Sequence, residues 1–213
     1  MKNVLILKTS ILGEGSVSNQ LIGETLARLE QAGETLNVVE RDFATVAVPH
    51  LDAEWLAAIG TDKADRTPEQ HAKADFSDSL IAELQAADIV VIGMPMYNFT
   101  VPSMLKAWVD HVARAGVTFT YTESGPRGLL KEKTALLVSA MGGVHQVGET
   151  DFLRPYMKQI MAFLGIEDVH FVTANGLNMG PTRRESGLQD AQGEIDNLIA
   201  AAGPAAGKQE VAA

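Results

Sequence analysis

Five short runs of branched aliphatic residues recur along the chain and predict β-strands. They cover residues 3–8, 35–40, 88–94, 134–140 and 168–174. The first, third and fourth runs are almost continuously hydrophobic, which is typical of strands that helices cover on both faces of a sheet. Each run is followed by a segment that can be helical. The alternation predicts an α/β fold in which one parallel sheet carries helices on both faces.

The first helix is predicted from apolar residues spaced three and four positions apart, Ile22, Leu26 and Leu29. Ser18 is the candidate residue that caps its N-terminus, and Gly33 is a candidate stop. Further helices are expected over residues 69–86, from about 102 to 116 with Leu105, Trp108, Val109 and Val112 buried, over 151–164, and over 185–201. Residues 60–68 read as a loop, and residues 117–121 read as an extended excursion.

Five strands joined by crossover helices predict a doubly wound sheet in the order 2-1-3-4-5, with the chain reversing direction between the first and third strands. Such a reversal opens a crevice at the carboxyl ends of the strands, where ligands bind. The loops that would line it are residues 9–19, 95–102 and 140–145. We expect one domain over residues 1–201 and a frayed tail over residues 202–213.

The first of these loops ends at a helix start that carries Ser16, Ser18 and Asn19. Unpaired N–H groups and the positive end of the helix dipole favour an anion there. The chain lacks GxxxxGK[ST], so a small phosphate held without a lysine is the better match than a triphosphate. The plainer interpretation is that Ser18 only caps the helix.

A dinucleotide site is a weaker alternative for the same loop. Gly13, Gly15 and Ser18 form two-thirds of a GxGxxG pattern, and Glu40 or Asp42 ends the next strand roughly where a ribose-binding acid would stand. Four residues separate the strand from the first glycine, however, whereas the dinucleotide pattern turns directly off the strand.

The other two loops suit a flat aromatic ligand. Tyr97 and Phe99 offer apolar surfaces, and Asn98 offers a polar group that can orient a ligand. Loop aromatics also pack on a core or at a subunit contact, so this interpretation depends on the neighbouring loops. The glycine pair 142–143, followed by His145, lets the backbone approach a ligand closely, although glycine pairs are common in plain turns.

Composition excludes several classes of function. With a net charge of -10, the chain is a poor partner for nucleic acid or an anionic membrane face. It has no cysteine, which excludes disulfides, iron–sulfur clusters and thiol catalysis, so any redox chemistry requires a bound cofactor. The five histidines lack metal-ligand spacing, and no metal site is expected. No signal peptide or membrane helix is predicted, so we expect a cytoplasmic protein.

Three segments together resemble one family. They are SILGEGSVSNQL (10–21), PMYNFTVPSMLKAWVDHVARAGVTFTYTESGPRGL (95–129) and GGVH (142–145). They look like the FMN-dependent NADH-azoreductases, also described as NADH:quinone oxidoreductases, and the similarity runs from about residue 2 to 201. The resemblance implies a flavodoxin-like homodimer that holds one FMN per subunit near its interface.

The resemblance also implies roles for individual residues. The phosphate would be held by Ser10, Ser16, Val17 and Ser18; the isoalloxazine would be bracketed by Met96, Tyr97, Asn98 and Phe99; its other edge would be flanked by Ala140, Met141, Gly142 and Gly143. The substrate pocket would be shaped by Phe99, Phe119, Tyr121 and Phe163, partly across the dimer. Many members have Ser-Arg at positions 140–141, so this chain keeps only backbone contacts there. His145 is a hypothetical donor that tunes the flavin.

The implied activity is reduction of quinones and azo compounds by NADH or NADPH in a ping-pong cycle, with hydride passing to flavin N5 and then to the acceptor. No side chain is expected to act as a covalent catalyst, because FMN carries the chemistry. One alternative is an FMN-holding electron carrier that docks to protein partners. A phosphoester hydrolase is disfavoured, since the chain has no nucleophilic cysteine or metal cluster.

Overall fold

Five parallel strands form the central sheet of the structure, a computed structural model that describes residues 1–202. The strands within these described residues are β1 (Lys2–Lys8), β2 (Leu36–Asp42), β3 (Ile89–Pro95), β4 (Phe119–Thr122), β5 (Gly125–Gly128), β6 (Thr134–Ala140) and β7 (Asp168–Ala174). The sheet has the order β2-β1-β3-β6-β7, and every neighbouring pair is parallel. Counted within the sheet, this order is 2-1-3-4-5, which confirms the predicted doubly wound topology.

Within the described part of the chain, six α-helices connect and cover the strands. They are α1 (Val17–Gln31), α2 (Ala53–Gly60), α3 (Pro68–Ala86), α4 (Ser103–Val112), α5 (Leu153–Leu164) and α6 (Pro181–Ala202). The sequence pattern missed α2, and the loop predicted over residues 60–68 contains a short 3₁₀ turn at Lys63–Asp65. Apart from Ala202, the tail expected to fray lies outside the described residues.

The N-cap of α1 is Ser16 and not Ser18. Ser16 has the extended backbone that a cap requires, and its Oγ accepts the N–H of Asn19 at 3.3 Å. Ser18 lies inside the first turn, where its hydroxyl is fully buried and sits 3.0 Å from Ser16 Oγ. Both serines are residue types that cap helices. The 3₁₀ turn at Gly13–Gly15 ends directly before Ser16, so Ser16 is the residue that precedes the helix.

The core lies on both faces of the sheet because alternate residues of each strand point to opposite sides. On β1, Leu5 and Leu7 pack with α3, α4 and α5, while Val4 and Ile6 pack with α1 and α6. The four residues predicted to be the buried face of α4 are all at most 3% exposed: Leu105, Trp108, Val109 and Val112. The helix faces therefore follow from the sequence period.

The predicted extended excursion is the antiparallel hairpin β4–β5, which lies outside the main sheet. Its last residue, Gly128, packs directly on the end of α5: a Cβ there would lie 2.1 Å from the backbone nitrogen of Gly165. Only glycine allows this close approach of two backbones. Among the helices of residues 1–202, none combines the length and apolar character that crossing a membrane demands.

Candidate functional site

Three loops meet at the carboxyl ends of β1, β3 and β6. We call them the serine loop (residues 9–19), the aromatic loop (95–102) and the glycine loop (140–145). The serine loop is bonded to β3 through Thr9 Oγ1, which donates to the carbonyl of Gly93 at 2.7 Å. The aromatic loop is bonded to the glycine loop through the N–H of Met96, which donates to the carbonyl of Ala140 at 2.9 Å. The loops that the topology predicted to be neighbours thus lie side by side at one edge of the sheet, where the crevice is expected.

Four side-chain hydrogen bonds lie within the serine loop itself. Ser16 and Ser18 share one hydroxyl contact, and Ser10 Oγ accepts the N–H of Leu12 at 3.3 Å. The Asn19 amide closes the loop by donating to the carbonyl of Gly13 at 3.0 Å. The first N–H groups of α1, those of Val17 and Ser18, have no intrahelical acceptor. An anion at this end would therefore be held mainly by backbone N–H groups and the helix dipole.

The aromatic loop contains a strained two-residue turn. Tyr97 and Thr100 exchange two backbone hydrogen bonds of 3.0 and 3.2 Å, and between them Asn98 and Phe99 have φ values of 49° and 72°. Left-handed backbone costs a non-glycine residue about 1–2 kcal/mol, and strain of this kind collects at functional sites. The N–H groups of Asn98 and Phe99 donate to no acceptor within residues 1–202. The turn therefore holds two unused donors in a fixed position.

The glycine loop is braced by the segment that follows β7. Four backbone hydrogen bonds of 2.8–3.1 Å join the two: Met141 N–H to Ala174 O, Gly176 N–H to Gly143 O, Leu177 N–H to Met141 O, and Asn178 N–H to Gly142 O. The side chains of Ala140 and Met141 are buried, so these two positions can offer a ligand little besides backbone. The N–H groups of Gly142 and Gly143 find no acceptor in the described part of the chain.

Asn178 is a site residue that sequence reasoning missed. Its amide lies against the glycine loop, because a Cβ added to Gly142 would be 2.6 Å from Asn178 Nδ2. The only signal in the sequence was its position in the loop after the fifth predicted strand, at the same edge of the sheet as the crevice.

His145, the last residue of the glycine loop, lies between Gly143 and the aromatic loop. Its Nε2 would be 3.0 Å from a Cβ on Gly143, and its ring meets the ring of Phe99 edge-on at 5.8 Å. Neither ring nitrogen is hydrogen-bonded to another group of residues 1–202. The imidazole is therefore positioned by packing and keeps its hydrogen-bonding capacity for a ligand.

The four aromatics predicted to shape a substrate pocket fall into two groups. Phe119 contacts both Phe163 and Tyr121, with ring centroids 4.3 and 5.4 Å apart. Tyr121 projects from β4 and is 73% exposed. Phe99 pairs with His145 instead, so within this single chain the predicted set does not form one continuous wall.

The dinucleotide alternative loses support from the structure. Both acids proposed for a dinucleotide ribose are engaged: Glu40 pairs with Lys8 at 2.7 Å, and Asp42 accepts the N–H of Ala44 at 2.9 Å. Across residues 1–202, no cluster of three or more histidine or acidic side chains is arranged to hold a metal ion.

Comparison with known proteins identifies the class of fold to which the chain belongs. The chain matches a family described as having a flavodoxin-like fold over residues 2–199. It is similar to solved structures of an azoreductase from Bacillus anthracis str. Sterne (TM-score 0.83, 30% identity, 93% of this chain and 99% of that one). It is also similar to an FMN-dependent NADH-azoreductase from Bacillus anthracis str. Ames Ancestor in complex with FMN (TM-score 0.85, 25% identity, 96% of this chain and 100% of that one).

Relatives of known name narrow the class. FMN-dependent NADH:quinone oxidoreductases of Shewanella denitrificans and Cellvibrio japonicus are 48% and 44% identical to this chain over 201 residues, which span 94% of it and 100% of each relative. The chain belongs to this flavodoxin-like family of FMN-dependent NADH:quinone oxidoreductases. The family resemblance predicted from the sequence is confirmed.

Proposed function

We propose that this protein is an FMN-dependent oxidoreductase that uses NADH to reduce quinones and azo compounds in a ping-pong cycle. One observation carries the proposal: the strained turn at Asn98–Phe99, the glycine pair and the start of α1 bring backbone N–H groups that find no acceptor within residues 1–202 to one edge of the sheet. A ligand with a phosphate at one end and a flat polar ring at the other would match such a crevice.

The residues present fit FMN. The start of α1 suits the phosphate, with Val17 and Ser18 offering N–H groups and the Ser10 and Ser16 hydroxyls close by in the same loop. The isoalloxazine would lie between the aromatic loop, at Met96–Phe99, and the glycine loop, at Ala140–Gly143. The N–H groups of those two loops are the donors that its polar edge requires. Each of these contacts is part of the proposal.

Bound FMN would supply the capacity to accept two electrons as hydride from NADH and to pass them to a second substrate. The protein positions the reactants and stabilises charge. His145 and the glycine-loop N–H groups are donors that can stabilise the negative charge gained on reduction. The turn at Asn98–Phe99 is held rigidly by its two backbone bonds and by the N–H of Phe152, which donates to Phe99 O at 3.2 Å, so the site is preorganised.

The same proposal includes a cytoplasmic homodimer. Large apolar side chains lie exposed around the crevice, and a second copy of the chain would cover them. Those that are more than half exposed are Ile11, Leu12, Phe99, Val144, Val147, Phe152 and Met179. Because monomers rarely leave so many apolar groups open around one edge, an interface is the physical expectation.

Steady-state kinetics of the purified, FMN-loaded protein test the function. NADH and NADPH are each varied at several fixed concentrations of a quinone or an azo dye. Parallel double-reciprocal lines with NADH and a quinone support the proposed cycle, and intersecting lines contradict it. A protein that binds FMN but turns over no soluble acceptor would instead be the electron carrier that needs a protein partner.

A further inference from the structure

Tyr156 has a buried hydroxyl without a partner. It lies in the first turn of α5, and no group within residues 1–202 makes a hydrogen bond to its hydroxyl oxygen. Its side chain lines a cavity of about 720 Å³ together with Tyr97 and Asn98 of the aromatic loop. Neither the sequence pattern nor the proposed FMN contacts assign Tyr156 any role.

A phenylalanine at position 156 would fill the same space without burying an unpaired hydroxyl. Burying a hydroxyl that makes no hydrogen bond destabilises a protein, whereas replacing it by hydrogen at the same position is neutral or stabilising. A tyrosine in this position therefore weakens the fold unless something outside the described chain completes the hydrogen bond. Residues that break such a rule without a local gain are expected at functional sites.

The hydroxyl is suited to donate. Burial, and after it the negative charge of Asp110, raises the pKa of Tyr156 to about 12. The group therefore keeps its proton at physiological pH. Lys106, which also lines the cavity, is already paired with Asp110 at 2.6 and 2.7 Å, whereas the phenol makes no hydrogen bond within residues 1–202.

The cavity favours a flat apolar acceptor of hydrogen bonds. Its volume lies in the range of small-molecule sites, and Ile11, Val101 and Met104 give it apolar walls. A quinone is a planar apolar ring whose polar atoms are carbonyl oxygens, which only accept. The hydroxyl oxygen itself is covered in the unliganded protein, and Met104 and Lys106 are unbranched side chains of the same cavity lining that can move when an acceptor enters.

We propose that the Tyr156 hydroxyl donates a hydrogen bond to a carbonyl oxygen of the quinone acceptor bound in this cavity. The inference rests on the proposed quinone reductase function and names the acceptor's binding place within it. Tyr156 then determines specificity: it favours acceptors that carry a carbonyl over those that do not.

The test compares Tyr156→Phe with the wild type, both loaded with FMN, using 2-methyl-1,4-naphthoquinone and ferricyanide as alternative acceptors. Ferricyanide has no carbonyl oxygen. We expect kcat/KM for the quinone to fall about three- to tenfold, the usual worth of one hydrogen bond, while the rate with ferricyanide stays unchanged. An unchanged quinone rate, or equal losses with both acceptors, would overturn the proposal.

Thermal unfolding of the FMN-free proteins gives an independent readout. Tyr156→Phe should hold or raise the melting temperature, because it removes an unsatisfied group. The matched control is Tyr97→Phe, which deletes a hydroxyl that accepts a hydrogen bond at 3.2 Å and should lower the melting temperature. A lower melting temperature for Tyr156→Phe would mean that the hydroxyl has a partner within the protein, and would also overturn the proposal.

The outcomes distinguish a failure of the proposed role of Tyr156 from a failure of the proposed quinone reductase function. A wild type that reduces both acceptors, with a variant that loses neither, removes only the role of Tyr156. A wild type that reduces neither acceptor with NADH removes the proposed function and the inference together.

Discussion

The hydroxyl oxygen of Tyr97 accepts a hydrogen bond from the backbone N–H of Ile11 at 3.2 Å. The same oxygen lies 3.4 Å from Ser10 Oγ. These contacts join the loop that follows β1 to the loop that follows β3, across the point where the chain reverses its winding direction. The part of the crevice expected to hold a phosphate is thereby tied to the part expected to hold an aromatic ring.

Removing that hydroxyl should loosen the crevice. We expect Tyr97→Phe to lower the free energy of unfolding by about 0.5–1.5 kcal/mol and to weaken FMN binding several-fold, because Ile11 loses its acceptor. Urea unfolding and FMN titration measure the two effects. Tyr121→Phe is the matched control, since Tyr121 is 73% exposed and its hydroxyl can bond to water. Equal behaviour of the two variants would contradict the role of Tyr97.

Asn98 is expected to contribute through its backbone, with its N–H facing flavin N5 more than its side chain does. Because Asn98 has a φ of 49°, glycine fits this position without strain, whereas alanine costs about 1–2 kcal/mol of stability. Asn98→Gly should therefore keep FMN affinity and most of the activity. Asn98→Ala should keep both in the folded fraction and unfold at lower urea concentration. Loss of both affinity and activity in the glycine variant would show that the side chain is required.

The contact between Gly142 and Asn178 should appear as a coupling between two mutations. Alanine at Gly142 would place Cβ 2.6 Å from Asn178 Nδ2, so the amide must move and the glycine loop is disturbed. We expect Gly142→Ala to weaken FMN binding, and Asn178→Ala to relieve much of that loss in the double variant.

Gly23→Ala is the control for that cycle, because nothing lies within 4 Å of a Cβ at this helical position. It should leave FMN affinity unchanged and raise stability by up to about 1 kcal/mol. FMN titrations of the wild type, the two single variants, the double variant and the Gly23→Ala control measure these affinities. Strictly additive losses for Gly142→Ala and Asn178→Ala would contradict the contact.

Glu194 should make stability depend on pH. Its carboxylate accepts the N–H of Thr173 at 2.6 Å. Burial raises the pKa of Glu194 above its ordinary value, an effect that the hydrogen bond from Thr173 and the charge of Arg154 offset only in part. A carboxyl whose pKa is higher in the folded state contributes stability below its unfolded pKa, and that stability is lost as the pH rises through the folded value.

We therefore expect Glu194→Gln to raise the unfolding free energy near pH 7.5, where the native side chain is charged, and to give no gain below about pH 4. The glutamine keeps an oxygen that can accept from Thr173. Glu185→Gln, which is exposed on the same helix, changes the net charge equally and serves as the control. Urea unfolding at both pH values measures the difference, and a pH-independent effect of Glu194→Gln would contradict the assignment.

The sheet could be predicted because its strands are buried. The predicted strands at 134–140 and 168–174 have the same first and last residues as β6 and β7. The hydrophobic runs and the strands coincide because strands of a parallel sheet are covered on both faces. Helix α2 was missed because it is only eight residues long and only Ala58 in it is buried, which leaves little amphipathic signal.

The crevice was predictable only in outline. Topology and family resemblance indicated which three loops meet, but no pattern reports where a side chain points. Ser18 illustrates this limit: its hydroxyl is buried against Ser16, a pairing that depends on the 3₁₀ turn before the helix. The left-handed backbone of Phe99 and the brace from Asn178 arise from tertiary contacts, and residue types alone do not encode them.

Titration of the FMN-free protein with FMN tests the central claim most directly. We expect saturation at one FMN per chain, with quenched flavin fluorescence, and bleaching of the bound flavin's visible absorbance when NADH is added without oxygen. FMN at the same concentration in buffer alone gives the signal of the unbound flavin. A protein that leaves FMN fluorescence unchanged, or that binds FMN but does not transfer electrons to it from NADH, would contradict the account.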